Sequence, residues 1–163
     1  MKRTIVFLGL ATCLGASPAV SQTPSPAPGT HSILSADTLK WGPAPPALPA
    51  GAEAAVLSGD PATAGSQFTL RIKMPVGYKV APHWHPSDEH VTVLQGALMV
   101  GMGDKFDEAS MKTLTTGSFA VMPKEMRHYV RAKEATILQI HGVGPFALTY
   151  VNPADDPRKP ASN

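Results

Sequence analysis

Charge and cysteine are both scarce in this chain of 163 residues. Only 16% of its residues are Asp, Glu, Lys or Arg, and only 6% are Phe, Trp or Tyr. The single cysteine, Cys13, rules out an internal disulfide. Lys2 and Arg3 account for the whole formal net charge of +2, and beyond them the two signs balance. No basic patch therefore remains for a nucleic acid. Nothing after the first residues approaches the ~20 apolar residues of a membrane span. With 17 prolines and 14 glycines, the composition also argues against long helices.

What is present begins with an export pattern. Lys2 and Arg3 precede an apolar stretch over residues 5–16, and Ala19-Val20-Ser21 supplies small residues beyond it. That order predicts a secretory signal at 1–21, cleaved after Ser21, and a periplasmic or secreted protein. Cys13 falls inside it, so the mature chain would have no thiol, which suits an oxidising compartment. Lipid attachment at Cys13 is the alternative, although Leu10-Ala11-Thr12 matches the usual lipoprotein pattern poorly. Residues 22–52 are expected to form a Pro-rich linker and an N-terminal arm, 53–152 a single barrel domain, and 153–163 a solvated tail around Asp155 and Asp156.

From Glu53 onward, short apolar runs alternate with Gly, Pro and Asp. Strands are predicted at 54–57, 67–74, 79–85, 90–94, 97–101, 112–114, 118–122, 128–131, 136–141 and 147–151, with one helical turn over 106–111. Ten short strands separated by turn signals predict an all-β sandwich or barrel.

The densest chemistry lies at His83-Trp84-His85. In a strand, residues two apart share a face, so both imidazoles point one way and Trp84 the other. Their Cα atoms would be roughly 6.6 Å apart, a base from which two rings can converge on one ion. Pro86-Ser87-Asp88 favours a turn, after which Glu89 opens the next strand on the face of Val91 and Val93. If that face is the interior, a carboxylate joins the two imidazoles. Gly117, Pro123 and His128 form a second block, strand then turn, with His128 opening the return strand.

Gly77, His83, His85, Glu89 and Gly96 match the first motif of the cupin superfamily in identity and spacing, and Gly117, Pro123 and His128 match the second. The chain therefore resembles a small single-domain cupin over roughly residues 53–152. It departs at Glu125, where the family usually has Gly, and at Ala132, where it usually has Asn. A Gly at the first position would permit a positive φ that Glu resists. The resemblance implies a double-stranded β-helix, or jelly-roll barrel. It also implies one divalent ion, Fe(II), Mn(II), Ni(II), Co(II) or Zn(II), held by His83, His85, Glu89 and His128.

Other residues carry weaker signals. His141, Gln139 and Tyr150 are the remaining catalytic candidates, and Arg127 and Met122 are further candidates for the mouth of the barrel. His141 shares a strand face with Ile137 and Gln139, which either lines the barrel or leaves an ordinary histidine at a strand end. His90 and His31 are expected to be structural or solvated. No Ser-His-Asp arrangement and no phosphate-cradling Gly-rich loop is visible. The expectation is a metal-dependent enzyme on a small organic molecule, of dioxygenase, isomerase or decarboxylase type. The alternative is a non-catalytic module that binds metal or a small ligand. A homodimer is expected from the barrel edges and the arm.

Overall fold

The computed structural model describes residues 32–159. The predicted signal, Cys13 and His31 lie outside the described residues, as do residues 22–30 of the linker and the last four residues.

Two antiparallel sheets face each other. The first has the order β1 (Gly42–Pro43), β2 (Glu53–Ser58), β3 (Gln67–Met74), β10 (Thr136–Val143), β5 (Glu89–Gln95), β8 (Phe119–Met122). The second runs β11 (Thr149–Tyr150), β4 (Lys79–Trp84), β9 (His128–Ala132), β6 (Ala97–Met102), β7 (Lys112–Thr115). This is the expected jelly-roll barrel. The strand at 147–151 shrinks to two residues, and the helical turn to Glu108–Ser110. No helix among the described residues is long and apolar enough to cross a membrane.

Alternation along each strand builds the interior. In β3, Phe68, Leu70, Ile72 and Met74 point inward while Thr69, Arg71 and Lys73 stay outside. Each fully buried Leu or Ile contributes roughly 1.5–3 kcal/mol through loss of water contact. In β5 the inward set is Glu89, Val91 and Val93, so the carboxylate occupies a core position.

Strand β4 breaks this alternation. Its pairing with β9 slips between Val80 and His83, so that three steps on β4 match two on β9. The bulge lets both Val80 and His83 face inward, which strict alternation forbids. Trp84 then lies half-buried on the other side, opposite Thr149.

Both motif departures are accommodated. Glu125 adopts φ 63°, the left-handed conformation a Gly would favour, and its N–H donates to the His85 carbonyl at 2.8 Å. Ala132 is fully buried, with its N–H on the Tyr78 carbonyl and its carbonyl accepting from the Gly77 N–H, both at 2.8 Å. Gly96 has φ 76°, and a Cβ there would meet the Ala135 carbonyl oxygen at 2.3 Å.

The arm is partly built into the barrel. Ala47 and Leu48 are buried, the Tyr150 hydroxyl donates to the Ala47 carbonyl at 2.8 Å, and the Tyr78 hydroxyl donates to the Pro49 carbonyl. The Lys73 ammonium sits 3.9 Å from the centre of the Trp41 ring. At the other end residues 153–159 are largely exposed, with a side-chain tie back to the barrel. Asp156 binds Arg158 through both carboxylate oxygens, and Arg158 Nη2 donates to the Leu148 carbonyl at 3.0 Å.

Candidate metal centre

Four polar side chains meet in an otherwise apolar interior. His83 comes from the bulged end of β4, His85 from just past it, Glu89 from the start of β5 and His128 from the start of β9. All four are less than 9% exposed. Among the described residues, the only group of three or more candidate ligand atoms within 4.8 Å of one another is His83, His85 and His128. Glu89 Oε2 lies 3.6 Å from His85 Nε2 and 3.5 Å from His128 Nε2.

Each ring is oriented by a main-chain carbonyl. Nδ1 of His83 contacts the Ala81 oxygen at 2.7 Å, that of His85 the Ala147 oxygen at 2.9 Å, and that of His128 the Met126 oxygen at 3.0 Å. A carbonyl only accepts, so each Nδ1 carries the proton and donates it. In the neutral ring that tautomer leaves the lone pair on Nε2, the form that ligates a metal. His85 Nε2 is buried with no hydrogen-bond partner at all. Such an orphan inside a protein demands an explanation.

The electrostatics point the same way. Burial, with the His128 and His85 rings adding to it, pushes His83 down to about 3, against the Ala81 carbonyl and Glu89. Burial lowers His85 as well, while Glu89 pulls it the other way. For Glu89, burial alone would raise the carboxyl. The His85, His128 and His83 rings outweigh that and hold it below the usual carboxylate range. That lowering draws in part on positive charge, which burial disfavours on His83 and His85. A divalent cation would meet both demands, and three imidazoles with one carboxylate are a suitable donor set. The residues present fit the ion.

The surrounding cavity measures about 30 Å³. A water needs about 10–15 Å³ by this measure, so there is room for little more than an ion and a water. Apart from the four polar residues, the lining is apolar, and it includes Val91, Met122, Ile140, Leu48 and Phe146.

The remaining candidates fall elsewhere. Thr136, Leu138 and Ile140 point inward in β10, which puts Gln139 and His141 on the outer face. Gln139 accepts from Arg71 Nε at 3.2 Å, and His141 stacks on His90 with ring centres 4.8 Å apart. Neither lines the cavity, because the Leu138–Ile140 side of the strand takes the interior. Tyr150 lies 5.9 Å from His83 between ring centres, with its hydroxyl spent on the arm. Arg127 is exposed and paired with Asp104, whereas Met122 does line the cavity. Phe146 was not singled out from the sequence, since a lone aromatic in a loop has no periodicity to place it.

The family described as "domain of unknown function (DUF4437)" matches residues 24–149. The chain belongs to this family. No curated protein sequence matches the DUF4437 chain. Among solved structures it is similar to a candidate acetylacetone dioxygenase from Methylibium petroleiphilum, with a TM-score of 0.61 and 21% identity over 82% of this chain and 89% of that one. An acetylacetone dioxygenase from Acinetobacter johnsonii gives a TM-score of 0.60 and 15% identity, over 82% and 85%. An RmlC-like cupin from Shewanella frigidimarina gives 0.53 and 15%, over 70% and 91%. The DUF4437 fold is the cupin fold.

Proposed function

We propose that this protein holds one divalent transition metal through His83, His85, Glu89 and His128, and that it is a metal-dependent enzyme, of dioxygenase type first, acting on a compact apolar chelating molecule. The carrying observation is the set of three buried imidazoles, each with Nδ1 spent on a main-chain carbonyl, with the buried Nε2 of His85 left without a partner. The likeness to two proteins named as acetylacetone dioxygenases supports the choice of class.

The chemistry a bound divalent ion supplies is polarisation of a carbonyl or enolate oxygen and, for a redox-active ion, activation of O₂. The protein's own part is separable. Neutral rings leave the carboxylate as the one formal charge, so Glu89 balances part of the ion's charge. The apolar wall excludes water and strengthens every electrostatic contact inside. No Lys or Arg lines the cavity to meet a free carboxylate on a guest. A 1,3-diketone or its enolate therefore suits the site better than an acid or a sugar. Glu89 is the one lining side chain that could accept a proton without giving up a ring lone pair.

The test joins elemental analysis of protein from its native compartment to an oxygen-electrode assay. The assay uses 1,3-diketones, flavonols and catechols under Fe(II), Mn(II) and Ni(II). O₂ consumption matched to substrate loss supports the proposal. Product without O₂ uptake reassigns the enzyme to isomerase or decarboxylase chemistry, and unchanged substrates under all three ions overturn the oxygenase reading. The second reading, a non-catalytic metal-binding module, is favoured by the cavity volume of about 30 Å³. It predicts an ion with no exchangeable inner-sphere water.

Export belongs to the same proposal. The support is the signal pattern at 1–21, and the mature protein is expected to begin at Gln22. A homodimer is proposed as well, supported by Phe119, 54% exposed, and Val121, 41% exposed, on the edge strand β8. Light scattering that finds only monomers at high concentration would remove it.

A further inference from the structure

Of the sixteen residues that line the metal cavity, fifteen are buried and one reaches the surface. That one is Phe146. Its ring lies face to face with His85, with centres 5.1 Å apart and planes within 9°, and its other aromatic neighbour is Phe68 at 5.5 Å. Anything that approaches His85 from this side must first displace the phenyl ring.

The segment that carries it is hung rather than woven in. Residues 144–148 belong to no strand. They are tied to the turn between β2 and β3: Gly144 N–H donates to Ser66 at 2.8 Å, Phe146 N–H to Pro61 at 2.6 Å, and Gly65 N–H to Gly144 at 3.0 Å. One more hook comes from Ser87, whose Oγ donates to the Val143 carbonyl at 2.6 Å. The adjoining Ala147 carbonyl is the acceptor that orients His85. The plug over the cavity and the group that aims one imidazole therefore sit on neighbouring residues. The walls cannot enlarge the cavity without breaking sheet pairing, whereas residues 144–147 can move at the cost of a few loop hydrogen bonds while Leu148 stays in the core.

We propose that Phe146 is the gate and the size-selecting residue of the metal cavity: the 144–147 segment swings out between Val143 in β10 and the buried Leu148, and a guest takes the place of the phenyl ring against His85. The guest is then a compact, planar or flat apolar group of about phenyl size. Larger groups would need Phe146 to be smaller. What passes the gate rests on the metal reading above, but the gating does not, so it is tested without metal.

The full chain is stripped with a chelator, checked by circular dichroism, and treated with diethyl pyrocarbonate, which acylates neutral imidazoles. Peptide mass spectrometry follows each histidine, with exposed His141 as the internal reference. In the parent protein His83, His85 and His128 should label at least tenfold more slowly than His141. Phe146→Ala should speed their labelling at least fivefold. Ser87→Ala removes the hook but no cavity wall, and should speed it at least twofold. Phe146→Trp should leave it at or below the parent rate. If the three ligands label as fast as His141 in the parent, or if folded Phe146→Ala and Ser87→Ala both keep the parent rate, the gate is overturned. Should Phe146→Ala not fold, Phe146→Leu and Ser87→Ala decide in its place. A parent chain that takes up no divalent ion in parallel elemental analysis overturns the metal reading alone.

Discussion

His83 and His128 stand directly opposite each other in the β4–β9 pair, their ring centres 4.3 Å apart. Two desolvated, electron-rich rings at that distance gain little from each other. Their crowding makes sense as preparation for a ligand between them, and it should cost the empty protein stability.

His83→Leu and His128→Leu should therefore separate binding from folding. Each is expected to weaken divalent-metal binding more than about 100-fold, beyond the 10–100-fold cost of losing an outer partner. Metal-free stability should be unchanged or higher by about 1 kcal/mol. Calorimetric titration and urea unfolding check the two halves. Undiminished metal binding would refute the assignment of either ring.

Metal binding should weaken on acidification. The ligands bind as neutral rings, and burial lowers His83 to about 3 and lowers His85 as well. Protons should therefore compete only well below the ordinary imidazole range, by up to about tenfold per pH unit for each proton displaced. Glu89→Gln keeps the shape, removes the charge, and is expected to weaken binding at least about 10-fold. Titrations at pH 3.5, 4.5, 5.5 and 7 would show it. Binding that stays flat down to pH 3.5 would mean that these rings are not the ligands.

At the alkaline end, the two tyrosines that clamp the arm set a limit. Burial pushes Tyr78 up to about 12, and burial, with nearby ionisable groups adding to it, raises Tyr150 as well. The folded state then keeps protons that the unfolded chain loses above about pH 10. Stability is fully present below pH 10 and should fall between about 10 and 12, by at most about 1.4 kcal/mol per pH unit for each tyrosine. Urea midpoints from pH 8 to 11.5 test this, with hydrogen exchange expected to rise first at Ala47 and Leu48. No decline before pH 11.5 would contradict it.

Glu125 offers a test of backbone conformation. It is exposed and held at φ 63°. The left-handed region costs a side-chain-bearing residue about 1–2 kcal/mol, and Gly escapes this while losing about 0.5–1 kcal/mol in chain entropy. Glu125→Gly should stay within about 1 kcal/mol of the parent. Glu125→Val, branched at Cβ, should lose at least about 1 kcal/mol. Equal thermal unfolding of the two variants would argue against the turn geometry.

Much of this architecture can be read in advance, because alternation is a local property. The strand at Gln67–Met74 declares its faces through Phe68, Leu70, Ile72 and Met74. His83, His85, Glu89 and His128 were legible by identity and spacing, and the structure brings them to one place. The β4 bulge was not legible, because it depends on how Val80 and His83 register against another strand. The faces of β10 were ambiguous, since Ile137 gives the outer side an apolar residue too. Only packing against the opposite sheet decides that Leu138 and Ile140 go in and His141 stays out. Contacts such as Tyr150 with Ala47, 103 residues apart, leave no local trace.

The acceptors that aim the three imidazoles are main-chain oxygens of Ala81, Met126 and Ala147, not side chains. Mutational drift at those three positions can therefore change size and polarity nearby without touching the aim of the rings. A lineage diversifying what it accepts could vary them, and at those three positions only shifts in the backbone itself would disturb how the rings are aimed.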